Sequence, residues 1–235
     1  MTTDDILFEL EKYGDKQTKK TLLKHGAKEP FFGVKVGDLK KILKKTKKNH
    51  ELSLELYNTG NSDAMYLAGL MADENKITES QLDDWIDKAY WYYLSEYAVP
   101  WVAAETDFGF ELGLKWIRSD TERIATAGWV TLAYYAGVNR DEKLNINAYS
   151  QLLDLVENEI HNSQNRVRMS MNGFVIAIAT YIKELTDKSI AVATKIGRIV
   201  VDMNGTACKV PLATEYITKA IQNGQIGKKR KAARC

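Results

Sequence analysis

Residues 88–106 read KAYWYYLSEYAVPWVAAET and bring two tryptophans, four tyrosines and two carboxylates together. The apolar residues recur at intervals of three and four, which is the spacing of one helix face. The stretch therefore predicts an aromatic helix that is followed directly by a second helix. Aromatic side chains on such a helix offer flat surfaces that suit a nucleobase or a sugar.

The same spacing continues on both sides of this stretch. Only three prolines occur in the 235 residues, and no glycine pattern of a dinucleotide fold or a P-loop is present. The sequence TESQ at residues 78–81 predicts a capped helix start. The segments with helical spacing are 6–13, 39–43, 52–57, 64–71, 82–99, 101–117, 123–136, 149–160, 166–181 and 190–196.

Helix pairs that follow one another without a sheet are typical of HEAT-like repeats, because each pair buries its apolar face against its neighbours. We therefore predict an all-α fold: a right-handed α-solenoid of HEAT-like helix pairs with a concave groove, forming one domain over residues 1–227. Helices over 88–99, 123–136 and 166–181 are expected to line the groove. Residues 197–211 break the helical period and predict an ordered loop before a last helix.

Charge is segregated along the chain, although the net charge is only +2. Lysines crowd residues 12–48, acidic residues dominate 51–120, and the chain closes on GKKRKAARC. We interpret the first segment as a basic arm and residues 228–235 as a flexible basic tail. Both would attract a polyanion, and such binding weakens with salt. The alternative is that these lysines only solvate the surface.

Other classes of site and location are not indicated. The two cysteines, Cys208 and Cys235, do not form a zinc site with three scattered histidines, so we expect no metal and no cofactor. Sparse cysteine use is typical of the reducing cytoplasm. No apolar run reaches the roughly 18 residues that span a bilayer, so no membrane contact is expected.

Five short motifs carry a family resemblance through their order along the chain: FFGV at 31–34, VGDL at 36–39, KAYW at 88–91, WIRSD at 116–120 and MNGF at 171–174. In this order they resemble the HEAT-like-repeat DNA alkylation repair proteins, whose best-known members are alkylpurine DNA glycosylases. The resemblance covers nearly the whole chain. The closing stretch, residues 201–231, is similar to a branch of that family that departs from the glycosylases.

The resemblance implies a concave groove that holds duplex DNA, where a tryptophan, an aspartate and an arginine surround the deoxyribose of the lesion. The tryptophan corresponds to Trp91, but Ser95 stands at the position of the aspartate. Glu96 is the neighbouring carboxylate and the alternative catalytic residue. The arginine position falls near Thr126, and Arg123 lies about one turn earlier on a similar face.

Further DNA contacts are predicted on the same basis. Phe174 corresponds to a second tryptophan of the glycosylase groove. Tyr92, Tyr93 and Tyr97 are offered as surfaces for a base or as core residues, whereas Trp101, Trp116 and Trp129 are predicted core. The remaining candidates for phosphate contact are cationic: Arg166, Arg168, Lys228, Lys229, Arg230 and Lys231.

Three functions stay open at this point. The first is a DNA-binding member of the DNA alkylation repair superfamily that grips duplex DNA, alkylated or of unusual structure; here Ser95 argues against catalysis. The second is a glycosylase that excises N3- or N7-alkylpurines, with Glu96 in place of the aspartate. The third is a scaffold for a protein partner, since a fold alone does not select its ligand.

Overall fold

The computed structural model describes residues 1–206 and 208–234. Ala207, in the predicted loop, and Cys235, in the predicted tail, lie outside the described residues. Within these two ranges every regular element is a helix. The contacts divide the chain into two compact units, Met1–Thr106 with Arg234, and Asp107–Ala233. Whether residues 1–227 act as one domain stays a prediction.

The first unit is built around a helix with no exposed face. Its α-helices are α1 (Thr3–Lys12), α2 (Lys16–Lys24), α3 (Val36–Thr46), α4 (His50–Asn58), α5 (Ser62–Met71), α6 (Glu79–Lys88) and α7 (Val99–Glu105). All ten residues of α5 are buried, because α1, α3, α4 and α7 pack around it. The capping box at the start of α6 is confirmed, with Thr78 and Gln81 bonding each other's backbone N–H.

The lysine-rich segment is not an extended arm. It folds into α2 and α3, and Asp15 caps α2 by accepting from the Thr18 N–H at 2.7 Å. Several of its lysines form ion pairs inside the unit: Lys19–Glu29, Lys35–Asp15, Lys41–Asp38, Lys45–Glu9 and Lys48–Glu74. The positive charge of this segment is therefore partly neutralised by local carboxylates.

The predicted helix over 82–99 is wrong, because the chain breaks after α6. It re-forms as a π-helix over Leu94–Ala98, in which the Val99 N–H donates to the Leu94 carbonyl, and then continues as α7. Pro100 explains the wide turn, since a proline has no N–H and its ring clashes with the carbonyl four residues earlier in an α-helix. The prediction of one helix over 101–117 fails similarly, because α7 ends at Glu105.

A glycine holds the π-helix against α5. A Cβ atom on Gly69 would lie 2.8 Å from both the Cβ and the carbonyl oxygen of Ala98, closer than non-bonded atoms approach. The lack of a side chain at Gly69 therefore allows the π-helix to pack directly on the buried helix.

The second unit contains α8 (Gly109–Trp116), α9 (Glu122–Val138), α10 (Ile146–Glu159), α11 (Asn165–Tyr181), α12 (Thr186–Ile196) and α13 (Ala213–Gln222). The two 17-residue helices α9 and α11 pack side by side. They run parallel, because the Arg166 N–H at the start of α11 donates to Glu122 at the start of α9. Their shared face is part of the core, where the Trp129 and Phe174 rings lie 5.0 Å apart.

Metal-binding clusters and membrane-spanning helices are both absent from the described part of the chain. Residues 1–206 and 208–234 contain no group of three or more His, Cys, Asp or Glu that could hold a metal ion. No helix among them is both long and apolar enough to cross a membrane.

Candidate nucleic-acid interface

A row of half-buried tyrosines marks the first unit. This row consists of Tyr90, Tyr92, Tyr93 and Tyr97, which lie on the break before the π-helix and in the π-helix itself, and each residue is partly exposed. The Tyr93 and Tyr97 rings contact edge to face at 5.5 Å. Below them Tyr93 stacks on the buried Tyr66 at 4.7 Å. The rings of Tyr92, Tyr93 and Tyr97 thus contact other aromatic rings, and Tyr90 is held by its hydroxyl bond to the Lys28 carbonyl.

Trp91 and Ser95, which the resemblance places at the catalytic centre, and the alternative carboxylate Glu96 are all buried near this row. Trp91 is 5% exposed, and its indole N–H donates to the Ser62 hydroxyl at 2.9 Å. Ser95 is also buried, and its hydroxyl faces the Trp91 carbonyl. Glu96 is 9% exposed, on the π-helix. Direct contact of Trp91 and Ser95 with DNA was expected, but this structure buries both, because the break after α6 turns them inward.

The FFGV motif has a structural role in this chain. The backbone N–H groups of Phe32 and Gly33 donate to Asp63 Oδ2 at 2.6 and 2.9 Å, and that of Val34 donates to Oδ1 at 3.1 Å. Burial raises the pKa of Asp63, whereas these three donors act in the opposite direction. Asp63, which sequence reasoning did not single out, thus fastens the loop before α3 to the buried helix α5.

In the second unit, the predicted arginines gather at one end of the parallel pair α9 and α11. Arg123 lies in the first turn of α9, and Arg166 and Arg168 lie in the first turn of α11. The N-terminal ends of two parallel helices present their positive dipole ends together. Glu122 partly offsets this charge, because its carboxylate accepts the Arg166 backbone N–H at 2.7 Å.

Arg168 differs from a paired surface arginine. It is half-buried, and its Nε is enclosed without an acceptor. Its guanidinium forms no hydrogen bond and no ion pair with any residue of 1–206 or 208–234. A guanidinium presents a planar fork that matches a phosphate or a carboxylate. The side chain therefore retains the capacity to bind an external anion.

Phe174 does not belong to an interface. Its side chain is 0% exposed and packs between the rings of Trp129 and Tyr149, 5.0 and 6.1 Å away. The prediction that Phe174 stacks on DNA is therefore wrong for this structure. It lies on the face of α11 that packs against α9, and one residue type cannot reveal which face of a helix is inward. Trp101, Trp116 and Trp129 are buried as predicted.

The basic segment near the C-terminus is not a free tail. Residues 227–231, which we call the capping segment, cover the C-terminal ends of α9 and α11. The Gly227 N–H donates to Thr180 at 2.8 Å and the Arg230 N–H donates to Gly137 at 2.7 Å. These bonds satisfy carbonyl groups that a helix end leaves without a partner.

Lys229 illustrates the consequence for DNA binding. Its ammonium donates to the carbonyls of Ala136 and Tyr181 at 2.9 and 2.8 Å and pairs with Asp141 at 2.8 Å. An ammonium has three donors, so none is left for a phosphate. A cation at two helix C-termini is also favoured by their dipoles. The predicted phosphate contact of Lys229 is therefore wrong in this conformation.

The other three basic residues of the capping segment have more freedom. Lys228 and Lys231 are exposed, and both remain candidates for phosphate contact. Arg230 is half-buried with its guanidinium 5.5 Å from the centre of the Tyr134 ring. A cation over an aromatic face keeps its charge, so Arg230 also remains a candidate.

Arg234 lies in the first unit and has a structural role there. Its guanidinium is surrounded by four acceptors: the carbonyls of Leu70 and Ala72, at 3.3 and 2.7 Å, and the carboxylates of Glu74 and Glu105, at 2.8 and 3.0 Å. It therefore satisfies the last carbonyls of α5 and shares its positive charge between two carboxylates, of which Glu74 also pairs with Lys48.

The second unit also has a pocket of about 840 Å³ beside the starts of α9 and α11. Its lining includes the apolar Trp129, Leu152 and Met171 and three charged residues, Arg118, Asp120 and Glu159. The two carboxylates outnumber the one guanidinium of this lining, which does not favour a phosphate inside the pocket.

Comparison with known proteins places the chain in a family. Residues 6–202 match the family model described as DNA alkylation repair enzyme. The chain belongs to this family. The recognition from five short motifs is thereby confirmed.

Individual relatives match along almost their full length. An uncharacterized protein of Listeria innocua is 33% identical over 226 residues, which cover 94% of this chain and 97% of the relative. An uncharacterized protein of Listeria monocytogenes matches with the same identity and coverage.

A solved structure shares the fold over all of both chains, with a TM-score of 0.93 and 38% identity. It is described as a new family of proteins related to the HEAT-like repeat DNA glycosylases with affinity for branched DNA structures. The predicted all-helical, HEAT-like-repeat fold of the present family member is confirmed by this likeness. The concave groove stays a prediction.

Proposed function

We propose that this member of the DNA alkylation repair family binds branched DNA and does not excise bases. The cationic contacts are Arg123, Arg166 and Arg168 at the helix starts of the second unit. The half-buried tyrosine row of the first unit offers stacking surfaces. Bases at a branch point are less completely stacked than in a continuous duplex, and aromatic side chains bind such bases without strong sequence preference.

The observation that carries the proposal is the lone guanidinium of Arg168. Buried or half-buried polar groups normally have a partner in the folded protein, so one without a partner in residues 1–206 and 208–234 calls for an external one. The phosphate backbone is the anion that supplies most of the affinity in DNA binding. The likeness to a structure described as having affinity for branched DNA supports the same ligand.

The carboxylates near the aromatic row support binding rather than catalysis. Excision of an alkylated base needs a carboxylate or an activated water at the sugar. Asp63 is 4% exposed and accepts three backbone N–H groups, and Glu96 is largely buried on the π-helix. At the position where the resemblance implies an aspartate, Ser95 has no acid function. No carboxylate of this set is presented to a substrate.

The test compares a labelled four-way DNA junction with a linear duplex that contains the same arm sequences. Binding is measured by fluorescence anisotropy across a salt series for the wild type, Arg168→Ala and Arg140→Ala. Arg140 is the matched control, because it is an exposed arginine of the same unit that follows the C-terminal end of α9, at the opposite end of that helix from Arg123. We expect tighter binding to the junction, a loss of about tenfold for Arg168→Ala and little change for Arg140→Ala.

Base release is measured in parallel on duplex DNA that contains N7-methylguanine or N3-methyladenine. We expect none above the buffer control. Lesion-dependent release that Glu96→Gln abolishes would replace the proposal with the glycosylase function. Equal affinity for junction and duplex would remove the preference for branches, and binding to neither DNA would leave the protein-scaffold function.

A further inference from the structure

The helix α2 is distinct from every other helix of the first unit, because none of its nine residues is buried. Its sequence is KQTKKTLLK, in which Lys16, Lys20 and Lys24 are spaced by four residues. Residues with this spacing form one stripe along a helix. Lys28 follows in the loop after the helix, and we call these four residues the lysine stripe.

The ammonium groups of the lysine stripe are available to a ligand. All four residues are exposed, and within the described ranges none forms an ion pair or a hydrogen bond through its side chain. This separates them from Lys19, which pairs with Glu29 at 2.8 Å on another face of the same helix. Like charges at intervals of four repel each other on a helix. A bound polyanion would remove that repulsion.

The geometry of the stripe fits a nucleic-acid backbone. Eight residues separate Lys16 from Lys24, which is about 12 Å along the helix axis at 1.5 Å per residue. One strand of duplex DNA carries a phosphate about every 3.4 Å along its axis, so this length corresponds to roughly three phosphates. Three ammonium groups, about 6 Å apart along the axis, can therefore each meet a different phosphate of a single strand.

Contacts at the end of α2 connect the stripe to the tyrosine row. Tyr92 shares a hydrogen bond of 2.9 Å with Nδ1 of His25, the residue that ends α2. The Tyr90 hydroxyl donates to the Lys28 carbonyl at 3.0 Å. A strand whose phosphates follow the stripe would thus reach the aromatic row at the C-terminal end of the helix.

We infer that the lysine stripe binds the phosphate backbone of one DNA strand and directs its bases toward the tyrosine row. This inference rests on the proposed function, because it takes branched DNA as the ligand. It assigns the first unit a phosphate contact of its own, separate from the arginines of the second unit.

The test is the triple variant Lys16→Ala, Lys20→Ala, Lys24→Ala. Alanine keeps the helix, since it has the highest helix propensity, and no buried contact is removed. The charge-matched control is Lys44→Ala, Lys47→Ala, Lys76→Ala, which removes three exposed lysines of the same unit that form no ion pair. Circular dichroism checks that both variants fold. Binding to the four-way junction and to a short inorganic polyphosphate is measured across a salt series.

We expect the stripe variant to bind the junction at least about tenfold more weakly than the wild type. Its slope of log affinity against log salt should fall by about two to three, at about 0.9 for each lost phosphate contact. The control should change affinity less than threefold. Equal losses in both variants would overturn the inference, because they would reflect only net charge. An unchanged stripe variant with a junction-binding wild type would overturn it too, while the proposed function stands.

The polyphosphate separates the two proposals when the wild type does not bind the junction. Polyphosphate binding that the stripe variant loses would then support the stripe while the proposed function fails. Binding of neither probe by the wild type would overturn both.

Discussion

At the scale of single residues, one carboxylate determines how the FFGV loop is held. Asp63 accepts three backbone N–H groups while it is itself buried, so its charge is stabilised by the loop and the loop by its charge. The phenylalanines of the motif attract notice in the sequence, yet the interaction belongs to their backbone. Side-chain identity at 31–34 therefore explains less of the structure than Asp63 does.

Replacing Asp63 by alanine should lower the free energy of unfolding by about 3 kcal/mol, because three backbone donors lose their acceptor. Asp63→Asn should lose less, since the amide oxygen still accepts. Urea unfolding followed by circular dichroism measures both. The control is Asp107→Ala, whose side chain is 99% exposed and should change stability by no more than about 0.5 kcal/mol. A loss for Asp63→Ala no larger than that of the control would contradict the assigned role.

At the scale of helices, close approach between elements depends on glycine. A Cβ atom on Gly128 of α9 would lie 2.5 Å from the backbone nitrogen of Ile117, at the end of α8. The clash is with backbone, which cannot rotate away as a flexible side chain would. Gly173 of α11 is also helical, but a Cβ atom there would meet nothing within 4 Å.

Replacing these two glycines by alanine should change the stability of the protein in opposite directions. Gly128→Ala should destabilise the protein by about 2 kcal/mol, because α8 and α9 must separate. Gly173→Ala should stabilise it by roughly 0.5–1 kcal/mol, because alanine has the higher helix propensity. Thermal unfolding of the two variants beside the wild type gives both signs. A loss of stability for both variants would contradict the prediction for Gly173, because it would mean that a Cβ atom at this position is not accommodated freely.

At the scale of the whole molecule, residues distant in sequence meet at Arg234. Its guanidinium accounts for two carbonyls of the α5 end and for the carboxylates of Glu74 and Glu105. Arg234→Ala should therefore destabilise the first unit by about 3 kcal/mol, since Glu105 and two carbonyls lose this donor and Glu74 is left with Lys48. Arg234→Lys should recover part of this, because an ammonium has fewer donors and no planar fork. Chemical denaturation compares the three proteins, and equal stability of all three would refute the role.

The contribution of Arg234 should also depend on pH. Burial acts to raise the pKa of Glu74, but the Lys48 hydrogen bond and the charge of Arg234 outweigh it and hold the pKa below its ordinary value of 4.5. A carboxylate with a lowered pKa stabilises the fold above its ordinary value, and this stabilisation is lost as pH falls through the folded value. The difference between wild type and Arg234→Ala should thus be constant near pH 6–7 and shrink below about pH 4.5. A difference that grows in acid would contradict this account.

The helical class and the family were predictable from the sequence because both rest on patterns repeated many times along the chain. Helix spacing recurs in ten segments, and the five motifs keep their order. The break after α6 was not predictable from spacing, because a π-helix shifts the register by one residue and only Pro100 indicates it. Burial of Trp91 and Phe174 also required the structure, since an aromatic residue has the same letter whether its helix face is inward or outward.

Basic residues were the least predictable part of the site. A run such as KKRK has a net charge that sequence reveals, but the partners of each cation depend on which helix ends are nearby. Lys229 meets two of them, whereas the side chains of Lys16, Lys20 and Lys24 have no partner among residues 1–206 and 208–234. Lysines near the two ends of the chain therefore differ in whether their ammonium groups are available to a ligand.

The engagement of Lys229 has a consequence for proteolysis. Trypsin must draw a lysine or arginine side chain into an acidic pocket before it cuts the following bond. Lys229 is already held by two carbonyls and Asp141, so the folded chain should resist cleavage there, and the cut requires the capping segment to detach first. The rate at which the tryptic fragment ending at Lys229 appears should therefore report how often the capping segment detaches from the helix ends beneath it.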